Sequence, residues 1–359
     1  MKMKSIEAFK KYYQQEKQQV DHAIQDNAKQ WIDEQAIISE KLHDFQELNS
    51  EGKRIRGVLV NLGYQLLGKK DHYSNALALA YEVFQTAILV HDDIIDKDLT
   101  RRGKDTIPYA TYKKYKNNSD NEKELMELGN SIGICVGDYG LYQANKIIID
   151  AYQKDPNFSK VISYFHDTVL NTIRGELLDV VLPFQSKYQM ISPNMLEESI
   201  QNIYRLKTAH YTIIGPLAVG LLLGGGTEEQ VKDITKFGEK IGIAFQIQDD
   251  ILGIYSDETG KVKGSDIKEF KQTILYSHVC KTKYHEELLK YYGKDDLTEE
   301  SIQQVQELLE KSGSKQYAID CMNHYYEEGL NVMKGLSWIK DSEKDLLIGF
   351  VEYLKMRNK

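Results

Sequence analysis

Two short acidic motifs contain the residues with the clearest capacity for chemistry. In the first, Asp92, Asp93 and Asp96 follow an apolar run, and Arg101 and Arg102 come shortly afterwards. Asp92 and Asp96 are four residues apart, so on a helix they share one face about one turn apart. Carboxylates at the end of a buried helix usually need a cation to neutralise them. The spacing therefore indicates a cation site or, as the alternative, a solvated charged helix end.

The second motif repeats this pattern later in the chain, where Asp249 and Asp250 follow another apolar helical segment. The two pairs could face each other across a helical bundle. Hard oxygen ligands without a nearby Cys or His cluster select Mg²⁺, or Mn²⁺ in its place, rather than Zn²⁺. Mg²⁺ is commonly shared with substrate phosphates, and a planar guanidinium can bind two phosphate oxygens at once. Together the motifs predict a site for a metal and a phosphorylated substrate.

Further basic and polar residues favour the same interpretation. They are Lys53, Arg54 and Arg56 before one predicted helix, Lys207 and Thr208 within another, and Lys261 and Lys271 after the second motif. Each of them alone would more often be surface charge. Their occurrence together with two acidic motifs favours phosphate binding.

Composition excludes several classes of protein. A net charge of −8 argues against a nucleic-acid binder that uses a basic surface. The three cysteines are far apart and lack metal-ligand spacing, which is typical of reduced thiols in a cytoplasmic protein. The most apolar stretch, 212–226, is interrupted by glycines and Pro216. It is shorter than the roughly 20 apolar residues that a bilayer requires, so stable membrane insertion is not expected.

Apolar residues at three- and four-residue steps predict helices through most of the chain. The predicted helical segments are 76–90, 125–153, 160–182, 195–223, 229–255, 269–292, 299–311 and 315–334. The predicted loops are 69–74, 116–121, 183–193, 224–227 and 257–265. The predicted fold is all-α, with residues 1–359 as one domain and a helical N-terminal extension over about the first 40 residues.

The sequence resembles the trans-type prenyl diphosphate synthases, the polyprenyl synthetase family, and among them the short-chain geranylgeranyl diphosphate synthases. The match rests on residues 91–96 (HDDIID) with 99–103 (LTRRG), and on 246–250 (QIQDD) with 260–261 (GK) and 264–266 (GSD). The resemblance implies a bundle of about ten or more helices around a central cavity, and a homodimer. It also implies that isopentenyl diphosphate condenses with an allylic prenyl diphosphate.

The resemblance implies a role for each matching residue. Asp92 and Asp96 would bind two Mg²⁺ ions on the allylic diphosphate and Asp249 a third, with Asp179 close to this cluster. The residues that would contact the allylic diphosphate are Arg101, Lys207 and Lys261, with Lys271 closing the phosphate site. The residues that would bind isopentenyl diphosphate are Lys53, Arg56, Gln85 and Arg102. Thr208 and Gln246 would lie near the developing carbocation. Apart from the resemblance, Asp98 lies off the helical face that Asp92 and Asp96 share, so we predict that it is surface charge.

Gly253 is a departure from the family pattern. It stands where farnesyl synthases commonly have the last aspartate of the second motif, so no metal role is predicted at 253. The activity itself is not put in doubt, because some geranylgeranyl-type enzymes share the variant.

Product length is predicted from the helix that leads to Asp92. Ile88, Phe84 and Tyr81 precede Asp92 by four, eight and eleven residues on one helical face. Ala87 is small, whereas farnesyl-specific enzymes often have an aromatic ring four or five residues before the motif. These features favour a twenty-carbon product with Phe84 as the floor of the pocket. The alternatives are that the rings are ordinary core residues, that the product is medium- or long-chain, or that the protein is a class I terpene cyclase.

Overall fold

Helices form through nearly the whole chain. In this computed structural model, residues 2–29, 31, 34–256, 264–294 and 296–356 are described. The regular structure of these described residues consists of α-helices, one π-helix and one two-stranded hairpin. The prediction of an all-α fold is confirmed.

The helices divide in chain order into three runs. The first run is α1 (Lys2–Ala28), α2 (Ala36–Ser50), α3 (Ile55–Gln65), α4 (Asn75–Ile95), α5 (Ile107–Tyr115), α6 (Glu122–Tyr152) and α7 (Phe158–Lys187). Then come α8 (Pro193–Ile203), the π-helix (Tyr204–Ile214), α9 (Gly215–Leu223), α10 (Glu228–Tyr255), α11 (Ser265–Lys268) and α12 (Ile274–Val279). The last are α13 (His285–Leu288), α14 (Glu299–Lys311), α15 (Ser314–Gly335) and α16 (Asp341–Lys355). The hairpin strands are β1 (Thr100–Arg101) and β2 (Lys104–Asp105).

The chain forms two compact units. One comprises Lys10–Tyr164 and Pro216–Thr227, and we call it the first-motif unit because it contains the first acidic motif. The other comprises Met1–Phe9, Phe165–Gly215 and Glu228–Lys359, and we call it the second-motif unit. That the chain functions as one domain stays a prediction.

In the first-motif unit, α4 packs against α3 and α6, and α6 also fixes the start of α4. The hydroxyl of Tyr152, at the end of α6, accepts a hydrogen bond from the Leu77 N–H at 3.2 Å and donates to the Tyr73 carbonyl at 2.6 Å. The N-cap residue Ser74 makes no side-chain cap bond. A tyrosine hydroxyl therefore satisfies one of the N–H groups that the first turn of a helix leaves without an intrahelical partner.

In the second-motif unit, the π-helix lies against α7 and α10. A Cβ at Gly175 of α7 would lie 2.4 Å from the Lys207 backbone nitrogen, and one at Gly242 of α10 would lie 2.4 Å from the Ala209 Cα. Side chains at these two positions would thus keep the helices apart. π-Helical segments occur frequently at functional sites, and Lys207 and Thr208 belong to this one.

Two predicted segments have different boundaries in the structure. The segment 269–292 is not one helix, because Phe270 adopts a left-handed φ of 56° and Thr273 caps a new helix, α12, by accepting from the Tyr276 N–H at 3.2 Å. The predicted loop 183–193 starts too early, since α7 continues through Pro183 to Lys187. Residues 257–263 of the predicted loop 257–265 lie outside the described residues.

The helical stretch that begins with α8 is continuous rather than interrupted. Pro193–Leu223 is long and apolar enough to cross a membrane by length and composition, and 78% of its apolar window is buried inside the protein. The Gly215 N–H bonds to the carbonyl of His210, five residues back, and this π-type bond leads into α9 despite Pro216. The prediction that this stretch is too short is therefore wrong about length, while the absence of membrane insertion stays a prediction.

Candidate active site

The first acidic motif lies at the C-terminal end of α4. Asp92 is in the last turn, and Asp96 follows the helix with its N–H bonded to the Asp92 carbonyl at 2.8 Å. Both side chains are half-buried. The C-terminal end of a helix carries partial negative charge, so two more carboxylates there are unfavourable without a cation. The local electrostatics therefore favour positive charge beside Asp92 and Asp96.

Arg101 supplies part of that positive charge. Its Nε donates to Asp93, and its Nη2 lies 3.2 Å from Asp92 Oδ2 and 3.3 Å from Asp98 Oδ2. Asp93 is 1% exposed, and burial raises the pKa of its carboxyl to about 7 although Arg101 opposes the shift. The sequence pattern assigned Asp93 no role. The prediction that Asp98 is surface charge is wrong, because it is half-buried and pairs with Arg101.

A two-residue hairpin turn places Arg102 away from this network. Arg101 pairs with Lys104 across the hairpin, which leaves Arg102 and Gly103 as the turn, with φ values of 54° and 79°. Two positive φ values are typical of a type I′ turn, and this explains the glycine. Nη1 of Arg102 donates to the Glu51 carbonyl at 2.7 Å. The two neighbouring arginines therefore have different partners.

Arginines cluster in the first-motif unit. Burial lowers the pKa of Arg102, and the charges of Arg101 and Arg56 lower it further. Because these cations repel one another, an anion bound beside them would be stabilised. Arg54 is different, since it is 3% exposed and its Nε donates to Asp21 Oδ1 at 2.7 Å. The adjacent cleft is lined by Leu48, Glu51, Thr86, Leu89, Asp93, Arg101 and Arg102.

In the second-motif unit, Lys207 binds two acidic side chains of α7. Its Nζ lies 2.7 Å from Asp179 Oδ2 and 2.7 Å from Glu176 Oε2. Glu176 and Asp179 are three residues apart, so they share one face of α7. Glu176 was not predicted, although this spacing from Asp179 was an available signal. The structure thus brings together Lys207 and Asp179 and adds a second carboxylate.

The two aspartates of the second motif have different environments. Asp249 is half-buried, whereas Asp250 is 2% exposed. Burial raises the pKa of Asp250, while the hydrogen bonds that Tyr204 and Gln246 donate to its two carboxylate oxygens oppose the shift. Asp249 is therefore the carboxylate of the pair with access to a metal ion, and Asp250 belongs to the interior.

The space beside Gly253 is taken by another carboxylate. A Cβ at 253 would lie 2.4 Å from Asp266 Oδ2, and Asp266 is 9% exposed. The Lys271 N–H donates to the Asp266 carbonyl at 2.9 Å, and the positive charge of Lys271 weakly opposes the rise in the pKa of Asp250. The absence of a metal role at 253 stays a prediction. Lys261 lies outside the described residues.

The donor set fits a metal that is shared with a substrate. Within the described part of the chain, no three His, Cys, Asp or Glu side chains form a group that could hold a metal ion. Asp92, Asp96 and Asp249 offer hard oxygen atoms, and Mg²⁺ commonly combines one or two carboxylates with water and substrate phosphates. Asp92 and Asp96 in the first-motif unit, and separately Asp249 in the second-motif unit, therefore suit Mg²⁺ bound together with substrate phosphates.

Comparison with known proteins decides the family. Residues 38–309 match the family described as polyprenyl synthetase. The chain belongs to this family. It is a prenyltransferase, a trans-prenyl diphosphate synthase, as the motifs predicted.

The polyprenyl synthetase is similar to several characterised relatives. It is 27% identical to a geranylgeranyl diphosphate synthase of Sulfolobus acidocaldarius, over 88% of this chain and 90% of the relative. It is 26% identical to a geranylfarnesyl diphosphate synthase of Aeropyrum pernix, over 87% of this chain and 92% of the relative. A crystal structure of geranylgeranyl pyrophosphate synthase from Corynebacterium glutamicum, complexed with isoprenyl diphosphate and magnesium, has a TM-score of 0.84 at 25% identity. That match covers 97% of this chain and 99% of the other.

The product-length residues predicted for this polyprenyl synthetase lie along α4. Tyr81, Phe84 and Ala87 are fully buried, whereas Ile88 is half-buried. The rings of Tyr81 and Phe84 meet edge to face, with centroids 6.2 Å apart. Ala87 instead faces α6, because a Cβ at Gly140 would lie 2.9 Å from the Ala87 Cβ. Its small size is therefore explained by helix packing.

The same close packing of α4 and α6 reaches the first motif of the polyprenyl synthetase. A Cβ at Gly137 would lie 2.3 Å from Nε2 of His91, the residue before Asp92. Gly137 thus sets the position of the last turn of α4. Of the other predicted ligands, Lys53 is exposed and its carbonyl accepts from the Tyr13 hydroxyl, while Gln85 is half-buried.

Proposed function

We propose that this trans-prenyl diphosphate synthase condenses isopentenyl diphosphate with an allylic prenyl diphosphate, and that its product is geranylgeranyl diphosphate. The observation that carries the proposal is the ion-pair network at the end of α4. There Arg101, a phosphate-binding type of side chain, contacts the half-buried carboxylate Asp92 directly. A diphosphate and its metal ions need this combination of donors and acceptors in one place.

The first step is loss of diphosphate from the allylic substrate. Mg²⁺, when bound by Asp92, Asp96 and Asp249 together with the diphosphate, would neutralise the charge that develops on the leaving group. Arg101, Lys207, Lys261 and Lys271 would bind the same diphosphate. Lys207 is already held between Glu176 and Asp179, which limits the rotamers available to its ammonium group.

The second step is attack by the double bond of isopentenyl diphosphate. Lys53, Arg56, Gln85 and Arg102 would hold this substrate, and the repulsion between the arginines supplies a reason for binding its anionic end. Thr208 and Gln246 would present oxygen atoms to the allylic cation, which must be kept from water. The proton lost at the end would pass to the departing diphosphate.

The twenty-carbon product is supported by the fully buried Phe84 and by the geranylgeranyl synthases among the relatives. A longer product is the second candidate, since a relative of comparable similarity is a geranylfarnesyl diphosphate synthase. The family membership does not support a class I terpene cyclase.

Homodimerisation in the cytoplasm is part of the proposal. Large apolar side chains are exposed along one helix, α6, namely Leu128, Ile134, Tyr139, Tyr142 and Ile149. Exposed apolar patches commonly mark protein–protein contacts. Light scattering of the purified protein at twice the monomer mass would support this part, and a monomer at micromolar concentration would refute it.

The activity is tested with purified protein, isopentenyl diphosphate, allylic primers and Mg²⁺, followed by sizing of the products. Asp92→Ala and Asp249→Ala are expected to lower turnover by about 100-fold or more, with unchanged helix content by circular dichroism. Asp120→Ala, at an exposed position, is the control and should match the wild type. Near-normal condensation by either metal-site variant would sink the assignment of that residue.

A further inference from the structure

A directed chain of hydrogen bonds runs through the second-motif unit behind Thr208. The Thr208 hydroxyl donates to Gln246 Oε1 at 2.5 Å, and Gln246 Nε2 donates to Asp250 Oδ1 at 2.8 Å. The other oxygen of Asp250, Oδ2, accepts from the Tyr204 hydroxyl. The Tyr204 oxygen in turn accepts from the Ile274 N–H at 2.9 Å. Each bond fixes the donor and acceptor roles of the next one.

The inner end of this chain is anchored by backbone. Ile274 is the first residue of α12, so its N–H has no partner within that helix. Because this N–H donates to the Tyr204 oxygen, the hydroxyl proton of Tyr204 is directed to Asp250. Tyr204 and Asp250 are 3% and 2% exposed, so water cannot easily replace either partner.

The outer end determines how the Gln246 amide is oriented. An amide has similar shapes at its oxygen and its nitrogen ends, so its neighbours decide which end faces which way. Gln246 and Asp250 are four residues apart on α10 and share one face. An acceptor at Asp250 holds the NH₂ end, and this leaves the oxygen end for the Thr208 hydroxyl proton.

This orientation matters for the chemistry of Thr208. Its proton is used in the bond to Gln246, so the hydroxyl presents lone pairs in its other directions. If the amide were reversed, the NH₂ group would donate to Thr208, and the hydroxyl proton would be free to point towards the substrate. Oxygen lone pairs stabilise a developing cation and a hydroxyl proton does not.

We propose that Asp250, held by Tyr204, is a positioning residue of the reaction: it orients Gln246 so that the Thr208 hydroxyl presents its lone pairs to the allylic cation. The inference rests on the proposed function and gives a task to the aspartate of the second motif that is too buried to bind metal. Asp249 and Asp250 then differ in role: Asp249 would bind the metal ion, and Asp250 would position the groups that face the allylic carbocation.

The test begins with Asp250→Asn, which keeps the size of the side chain but offers one donor and one acceptor where the carboxylate offered two acceptors. Turnover with isopentenyl diphosphate and an allylic primer is expected to fall by about 10- to 100-fold. The KM for each substrate should change by less than about threefold, since the variant leaves the diphosphate ligands in place. Asp233→Asn, on the same helix and hydrogen-bonded to Trp338 at 3.1 Å, is the control and should keep its turnover.

A second variant restores the directed chain by combining Asp250→Asn with Gln246→Glu. The new amide at position 250 can accept from the Tyr204 hydroxyl and donate to the new carboxylate at position 246, which in turn accepts from Thr208. Turnover should then recover to within about fivefold of the wild type. The double variant also keeps the proposal testable if Asp250→Asn folds poorly, because each donor in the chain again has an acceptor.

The outcomes separate this inference from the proposed function. A wild-type protein without condensation activity would overturn both. An active wild type with a turnover of Asp250→Asn close to normal would overturn only the positioning role. If Asp250→Asn loses turnover and the folded double variant with Gln246→Glu does not recover it, the positioning role would also be overturned.

An independent measurement uses Thr208→Val as the background. In that background Asp250→Asn should add less than about threefold further loss of turnover, because both substitutions act through one hydroxyl. If Asp250→Asn lowers turnover by the same factor in the Thr208→Val background as in the wild type, the proposal is contradicted.

Discussion

Replacing Phe84 by alanine gives the sharpest test of how product length is set. Phe84 is eight residues before Asp92, so it lies about 12 Å along the helix axis from that carboxylate. Its ring is fully buried and packs edge to face on Tyr81. Removal of the ring frees a space similar in size to one isoprene unit. The product of Phe84→Ala should therefore be longer than the proposed twenty-carbon product by one or more five-carbon units, until the growing chain meets Tyr81.

The cost in stability can be separated from the effect on product length. Truncation of a fully buried phenylalanine costs about 3–5 kcal/mol, against a total stability of about 5–15 kcal/mol for typical domains. Phe350→Ala is the matched control, because Phe350 is also fully buried and packs on Phe9 with centroids 5.5 Å apart. Both variants should unfold at lower urea concentration, and only Phe84→Ala should lengthen the product.

The assay is chromatographic sizing of dephosphorylated products at equal conversion, with circular dichroism to confirm folding. An unchanged product distribution in folded Phe84→Ala would refute the assignment of Phe84 as the floor and would leave its ring an ordinary core residue. A longer product from Phe350→Ala as well would show that general loosening of the fold is the cause.

Three further predictions follow from named contacts. Tyr152→Phe removes the hydroxyl that caps α4 and should lower the free energy of unfolding by about 1–3 kcal/mol. Tyr142→Phe is the control, because Tyr142 lies on α6 like Tyr152 but is 78% exposed. Equal urea midpoints for the two variants would contradict the capping role. Burial lowers the pKa of His210 to about 4 from 6.5. Between these values the unfolded chain binds a proton that the folded chain does not, so stability present above pH 6.5 is lost as the pH falls. Urea titrations at about pH 7.5 and about pH 4.5 measure how much unfolding free energy is lost on acidification. This loss should be smaller in His210→Asn than in the wild type, by at most about 3 kcal/mol. An equal loss in the two proteins would contradict the prediction. Gly137→Ala should displace the last turn of α4 and lower turnover about tenfold or more. Gly335→Ala is the control and should keep its turnover, because a Cβ there meets no atom within 4 Å. Normal turnover in Gly137→Ala would contradict the prediction.

Ala87 shows where the sequence pattern and the tertiary structure give different expectations. By spacing alone, an aromatic ring at 87 should shorten the product, as in farnesyl-specific enzymes. In the structure Ala87 packs against the backbone of α6 at Gly140. A larger side chain would have to separate two tightly packed helices, which typically costs about 1–3 kcal/mol. The half-buried Ile88 is the more suitable position for a product-shortening ring.

Residue types and their local spacing are enough to predict several features of this protein. The four-residue step from Asp92 to Asp96 and the apolar periodicity of α4 are set within one or two helical turns. Their donor atoms are enough to indicate Mg²⁺ and a phosphorylated substrate. The family motifs then supply the reaction, and the match over residues 38–309 confirms it.

The pairing of charged side chains depends instead on contacts between elements that are far apart in the sequence. Arg101 contacts Asp93 and Asp98 through a hairpin, and Lys207 contacts Glu176 across two helices. Asp249 and Asp250 are identical neighbours in sequence, yet a hydroxyl 46 residues away holds one of them in the interior. The physical reason is that desolvation and hydrogen bonding depend on the atoms packed around a carboxylate, which residue type and spacing along the chain do not specify.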